Sequence, residues 1–130
     1  MSKIHQATED NSPEVEIWGS GEPYREFLYS TDAADALVYL MQTYSGKSHV
    51  NVGSGEELKI IELAQLIADV VGFKGGWKFD RSRQDGSLRK LCDISMLKSL
   101  GWAPRTALPD GLRETYDWFR RALAAGRIRA

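Results

Sequence analysis

The residues of this chain that most readily do chemistry are one cysteine and two histidines. Cys92 follows an apolar residue and precedes the predicted start of a helix. No neighbouring side chain supplies the base that a nucleophilic thiol needs, so we interpret Cys92 as a small buried apolar residue. His5 and His49 are far apart and lack the spacing of metal ligands, so the sequence predicts no metal site.

A glycine-rich turn is the second candidate for chemistry. Gly53-Ser54-Gly55-Glu56-Glu57-Leu58 lies after a predicted strand and before a predicted helix, where backbone amides bind pyrophosphate in dinucleotide-binding proteins. Leu58 stands at the position of the third glycine, where close packing of helix on strand leaves no room for a side chain. We therefore interpret the segment as a turn that ends a strand.

The composition bounds the class of protein. The 130 residues include 17 Lys and Arg against 18 Asp and Glu, for a formal net charge of -1. This balance argues against general binding of nucleic acids or membranes. A single cysteine excludes an internal disulfide, and the N-terminal residues lack the apolar stretch of a signal peptide. We expect one domain, residues 1–130, in the cytoplasm.

The hydrophobic pattern predicts the mixed α/β elements that must position these residues. Strands are expected at 15–18, 25–29, 49–52 and 77–79, the first two as a hairpin. Helices are expected to cover part of 1–8, then 31–43, 59–71, 95–100 and 109–123, with Ser30 or Thr31 capping the second. The apolar stripes of the three longer helices are Ala33, Ala36, Leu37, Leu40 and Met41; Ile60, Leu63, Ala64, Ile67 and Val71; and Leu112, Tyr116, Phe119 and Leu123.

Three segments together carry the pattern of a known family. They are WGSGEPYREFL at 18–28, HVNVGSG at 49–55, and DGSLRKLCD at 85–93 with LGW at 100–102. In order and spacing they resemble GDP-L-fucose synthase, an extended short-chain dehydrogenase/reductase, from about Lys3 to about Arg121. The resemblance implies a small α/β domain that matches the C-terminal, nucleotide-sugar-binding part of such an enzyme and lacks its Rossmann half.

The resemblance also implies a set of substrate-binding residues. The family's sugar-nucleotide contacts map onto Trp18, Arg25 and Lys90, and onto Lys3 where the family has arginine. Converging cations suit a diphosphate, and an indole offers a flat wall to a base or sugar. Taken singly, Arg25 and Lys90 have the alternative of a solvated surface, and Trp18 that of the core. For Arg81 and Arg83, in the loop before Lys90, we expect exposure to solvent.

Catalysis is not expected from this chain alone. The family's enzyme uses NADPH and a catalytic tyrosine that has a lysine four residues after it. Four residues after Tyr116 this chain has Arg120, and four residues after Tyr44 it has Ser48. We therefore expect no catalytic residue and no bound cofactor. Three hypotheses remain: a module that binds a GDP-sugar or related nucleotide, the substrate-binding part of a split NADPH-dependent epimerase/reductase with a cofactor-domain partner chain, and an oligomeric scaffold with a decayed site.

We also expect the chain to form a homo-oligomer. The predicted strand 49–52 has an open edge, and the predicted helix 31–43 has an apolar face with incomplete cover. Unpaired strand edges and large apolar patches favour association with another chain. The alternative is that residues 1–56 pack back on the core formed by residues 59–125.

Overall fold

The computed structural model describes residues 1–129. Within them, five helices and five strands are mixed along the chain, which confirms the predicted α/β class. The helices are α1 (Ser2–Glu9), α2 (Ser30–Thr43), α3 (Ile60–Val71), α4 (Ser95–Ser99) and α5 (Leu108–Ala124). The strands are β1 (Glu14–Trp18), β2 (Tyr24–Glu26), β3 (Glu57–Lys59), β4 (Gly76–Asp80) and β5 (Arg89–Lys90).

The strands form two small sheets. β1 pairs in parallel with β4, in a register that runs from Glu14 opposite Gly76 to Trp18 opposite Asp80. β2 lies between β3, which is antiparallel to it, and β5, which is parallel to it. A parallel pair needs a long crossover connection, and here most of the chain between β1 and β4 supplies it.

The predicted hairpin of β1 and β2 is wrong. The carbonyls of Gly21 and Pro23, in the turn between these strands, accept hydrogen bonds from the N–H groups of Ile61 and Ile60 at 3.0 and 3.1 Å. Gly21 also adopts a φ of 76°, which glycine tolerates far better than other residues. The turn is therefore held against the first turn of α3, and the two strands enter different sheets.

Helix α3 is the centre of the first hydrophobic core. Ile67 and Ala68 on its buried face pack with Ile4, Val15 and Phe73, which come from α1, β1 and the segment after α3. The helix has Lys59 as its N-cap, and Gly72, with a φ of 88°, ends it. Both predicted ends are confirmed.

Helix α5 is fixed to α1 by a buried histidine. Nδ1 of His5 lies 3.0 Å from the Tyr116 hydroxyl, and the His5 ring meets the rings of Tyr116 and Phe119 edge-on. Pro109 lies in the first turn of α5, as the sequence predicts. This contact sets the position of α1, which carries Lys3.

The second core lies under α2 and α4. It contains the buried residues Ala36, Ile94, Leu97 and Trp102, and the Trp102 Nε1–H donates to Asp35 Oδ2 at 2.8 Å. Gly101, with a φ of 95°, follows the last residue of α4 and its cap, in agreement with the predicted end of that helix.

Two expectations around α2 are wrong. The N-cap of α2 is Tyr29, without a side-chain capping bond, because the helix already begins at Ser30. Residues 49–52 are not a strand within the described residues: they make no backbone hydrogen bond to a neighbouring segment, and Val50 and Val52 pack on the second core instead. A strand requires a paired backbone, so the alternation of apolar residues at 49–52 is not sufficient to form one.

The helices of residues 1–129 include none with the length and apolar character needed to cross a bilayer.

Candidate functional site

Trp18 and Lys3 lie together on the surface. Trp18 is the last residue of β1 and alternates outward from the buried Val15 and Ile17, which leaves it 59% exposed. The core alternative for Trp18 is therefore wrong. Its Nε1–H donates to Glu16 Oε1 at 3.1 Å, and the Lys3 Nζ lies 4.3 Å from the ring centroid. That distance is within the range of a cation–π interaction.

Arg25 and Lys90 are brought together by the pairing of β2 with β5. They are register partners in a parallel pair, so both side chains start from the same face of the sheet. Neither has a carboxylate within salt-bridge distance among residues 1–129. Two adjacent cations repel each other, and a bound anion would relieve that repulsion.

On the opposite face of the same sheet, the cations are paired with carboxylates. Tyr24 and Arg89 are the next register partners, and Arg89 forms an ion pair with Glu57. Lys59, opposite Tyr24 on β3, forms an ion pair with Glu22 at 2.7 Å. The cations on this face thus form ion pairs within the protein, whereas Arg25 and Lys90 form none in the described residues, although the Asp85 carboxylate is near enough to interact with Arg25.

The loop of residues 81–88 contacts both Trp18 and Arg25. Asp85 in this loop accepts hydrogen bonds from the Ser20 N–H at 2.9 Å and the Ser20 hydroxyl at 2.5 Å. These bonds, with a smaller contribution from nearby Arg25, hold the pKa of the Asp85 carboxyl below its usual value. A Cβ built on Gly86 would lie 3.3 Å from an Arg25 guanidinium nitrogen. The loop is therefore fastened to the first motif and passes beside Arg25.

Arg83 reaches the Trp18 ring from the same loop. Its Cζ lies 5.1 Å from the ring centroid, although most of its side chain is exposed, as the sequence predicts. No pattern in the sequence predicts the contact itself. It depends on the pairing of Trp18 with Asp80, which brings the beginning of the loop to the end of β1.

The Gly53–Gly55 turn is occupied by a carboxylate of the protein itself. Glu26 Oε1 accepts the Gly55 N–H at 2.6 Å, and Glu26 Oε2 accepts the Cys92 N–H at 3.0 Å. Burial would raise the pKa of Glu26, but these hydrogen bonds outweigh it and leave the pKa lowered. A Cβ on Gly53 would collide with the same carboxylate. The segment is therefore a turn held by Glu26, but it does not end a strand as expected, because residues 49–52 are not one.

The expectation that Cys92 is buried is wrong. Cys92 is exposed because it follows β5, a two-residue strand at the edge of the sheet. A hydrogen bond to the Glu26 carboxylate raises the pKa of its thiol, and a raised pKa disfavours the reactive thiolate. The raised pKa, and not burial, thus disfavours Cys92 as a nucleophile.

Known proteins with similar sequences indicate the family to which this chain is related. Residues 1–53 match the family described as NAD dependent epimerase/dehydratase. GDP-L-fucose synthase 1 of Arabidopsis thaliana is 51% identical over 92% of this chain, and GDP-L-fucose synthase of Sinorhizobium fredii is 50% identical over the same share. The chain is homologous to GDP-L-fucose synthases. It spans 37% and 38% of the length of these two relatives, so it corresponds to a part of the synthase sequence.

A solved GDP-L-fucose synthetase has the same fold over nearly all of this chain. It comes from Naegleria fowleri, is bound to NADP, and superposes with a TM-score of 0.90 at 30% identity. The match covers 98% of this chain and 40% of the synthetase. The small α/β arrangement described above is therefore part of the fold of an extended short-chain reductase.

Proposed function

We propose that residues 1–130 form a single domain that binds a GDP-sugar, with Trp18, Arg25, Lys90 and Lys3 as its contacts. The homologous synthases and the Naegleria synthetase are named for GDP-fucose chemistry, which favours a guanine nucleotide as the ligand. The observation that carries the proposal is the pairing of Arg25 with Lys90, two cations in register without a carboxylate partner in the described residues.

The diphosphate is the part of the ligand that fits Arg25 and Lys90. A guanidinium offers a planar fork of donors to phosphate oxygens, and an ammonium offers a mobile point charge. Backbone pairing of β2 and β5 places both residues side by side on one face of the sheet before a ligand arrives. A site whose charges are already in place loses less entropy on binding.

Trp18 fits the base or the sugar of the same ligand. Its ring is exposed, and its indole nitrogen is occupied by Glu16, so a ligand would contact the part of the ring that Lys3 and Arg83 leave open. Lys3 lies over this ring and adds positive charge at the edge of the site. Lysine supplies the charge of the family's arginine but not its two parallel hydrogen bonds.

NADP does not fit the glycine turn of this chain, and we assign no reaction step to it. The Gly55 amide that would face a pyrophosphate already donates to Glu26, and a second anion beside that carboxylate would be repelled. We propose that chemistry with NADPH needs a cofactor domain of the kind found in complete reductases, supplied by a partner chain.

The test is calorimetric titration of GDP and GDP-mannose into the wild type, Arg25→Gln and Lys90→Gln. Each substitution removes a charge-assisted hydrogen bond to a phosphate oxygen, so each should weaken GDP binding about tenfold or more. UDP-glucose, titrated in parallel, should bind more weakly than GDP-mannose if the site distinguishes the base.

Arg89→Gln is the matched control. Arg89 adjoins Lys90 but starts from the opposite face and is paired with Glu57, so its loss should change GDP affinity far less. Equal affinity in the wild type and in both site variants would contradict the proposed diphosphate site. An equal loss in Arg89→Gln would show a general effect of net charge instead.

A further inference from the structure

The guanidinium of Arg83 and the ammonium of Lys3 approach the same indole. They come from the loop 81–88 and from α1, and lie 5.1 and 4.3 Å from the centroid of the Trp18 ring. Attraction to the ring is modest at an exposed position, and two like charges near one ring repel each other. The arrangement therefore concentrates positive charge beside Trp18 beyond what the ring alone can balance.

The hydrogen-bond donors of Arg83 are available to a ligand. Its nearest carboxylate in residues 1–129 is Asp80, whose Oδ2 lies 3.7 Å from Nε, too far for a good hydrogen bond. Its guanidinium makes no other side-chain hydrogen bond in that part of the chain. The Arg83 side chain is 63% exposed.

The loop that carries Arg83 is held in place without a ligand. The Asp85 carboxylate binds the backbone and hydroxyl of Ser20, and a cleft of about 410 Å³ opens between this loop and the first motif. Arg81 and Arg83 line the cleft together with the carboxylates of Asp85 and Glu22, and Glu22 is paired with Lys59. A ligand in the cleft would meet Arg83 at little cost in ordering the loop.

We propose that Arg83 is a further phosphate-binding residue of this site, which directs its guanidinium fork at the diphosphate of a nucleotide whose base or sugar lies on Trp18. This inference rests on the proposed function and adds a residue that lies outside the set implied by the family pattern. Phosphate is the fitting partner because a guanidinium fork matches two phosphate oxygens, whereas a base edge offers no negative charge.

The experiment compares GDP with guanosine in calorimetric titrations of Arg83→Gln, Arg83→Lys and Arg113→Gln. Arg113 is the control because it is similarly exposed, at 62%, and follows an aspartate by three residues as Arg83 does, but it is hydrogen-bonded to that aspartate and lies over no aromatic ring in the described residues. We expect Arg83→Gln to weaken GDP binding roughly fivefold to tenfold, Arg83→Lys to weaken it less, and Arg113→Gln to leave it unchanged. Guanosine affinity should not change in any of the three.

Two outcomes would overturn this inference. The first is an unchanged GDP affinity in Arg83→Gln, and the second is an equal loss for guanosine and GDP, which would place Arg83 at the base. If Arg25→Gln still weakens GDP binding in the same series, only the role of Arg83 fails. If Arg25→Gln and Lys90→Gln are also without effect, the proposed diphosphate site fails with it.

Discussion

Asp32 shows how one carboxylate joins distant parts of this fold. It lies in the first turn of α2 and is 6% exposed, and its Oδ2 accepts the N–H groups of Arg105 and Thr106 at 3.0 and 2.8 Å. Its Oδ1 accepts the Thr106 hydroxyl at 3.0 Å. Burial would raise the pKa of Asp32, but these hydrogen bonds, led by those from Thr106, outweigh burial and lower it. Asp32 therefore fixes the segment before α5 to α2.

Replacement of this carboxylate should destabilise the protein in a pH-dependent way. Asp32→Asn retains the shape but loses the charge-assisted bonds, so we expect the free energy of unfolding at pH 7 to fall by about 1–2 kcal/mol. A lowered pKa in the folded state stabilises the protein above the unfolded pKa of about 3.9, and that stabilisation is lost as the pH falls further. Urea unfolding of wild type and variant at pH 7 and at pH 3 measures the difference.

The difference between the two proteins should become smaller at the lower pH, since Asp32 is then increasingly protonated in both states. A difference that stays constant between the two pH values would show that shape, and not charge, accounts for the effect. Asp110→Asn is a suitable control because Asp110 is exposed in the first turn of α5.

At the scale of the element, the start of α3 combines two opposing contributions. Lys59 is the N-cap, and its N–H donates to Glu62 Oε2 at 2.7 Å, but an ammonium has no acceptor for the free amides of the first turn. The same ammonium is paired with Glu22. The residue is thus a poor cap that fastens the turn before β2 to the helix.

Lys59→Thr should therefore stabilise the protein most when the ion pair with Glu22 is already absent. We expect the thermal midpoint to rise by a few degrees when Lys59→Thr is made in a Glu22→Gln background, because threonine then adds a cap without losing a pair. In the wild-type background the increase should be smaller. Differential scanning calorimetry of the four proteins gives both values, and a fall in both backgrounds would contradict the role of Lys59 as the cap.

The elements that the sequence predicts well are those defined by local chemistry. The stripe of α3, its end at Gly72 and the proline in the first turn of α5 each follow from neighbouring residues. β3 and β5 are three and two residues long, too short for a hydrophobic period, and exist because β2 lies between them. The register of Arg25 with Lys90 was unpredictable for the same reason, although the family pattern identified both residues.

At the scale of the molecule, an uncovered apolar surface remains on α2. Leu37 and Met41 on this helix are 57% and 85% exposed, and Val38 is also exposed. The neighbouring segment 49–52 has no backbone partner in the described residues. Leu37, Val38 and Met41 are uncharged, so two copies can meet on these side chains in a two-fold interface.

We predict that the 130-residue chain self-associates through this surface. Light scattering after size exclusion should give a mass above the 14.6 kDa of one chain, with a share of larger species that rises with concentration. Leu37→Lys with Met41→Lys should restore the mass of one chain. Leu88→Lys changes another exposed leucine, in the loop 81–88, and should have no effect. A concentration-independent mass of one chain in the wild type would contradict the prediction.

The pairing of β2 with β5 has a consequence for how the protein folds. Arg25 and Lys90 are separated by about half of the sequence, and the pairing that joins them closes a long loop for only two register pairs. Loop closure of this length is entropically costly and slow, so such contacts form after the local helices. We therefore expect the cationic pair to assemble late in folding, so that a partly folded chain with intact helices would lack it. A nucleotide bound across both strands would in turn oppose their separation and shift the population towards the fully folded protein.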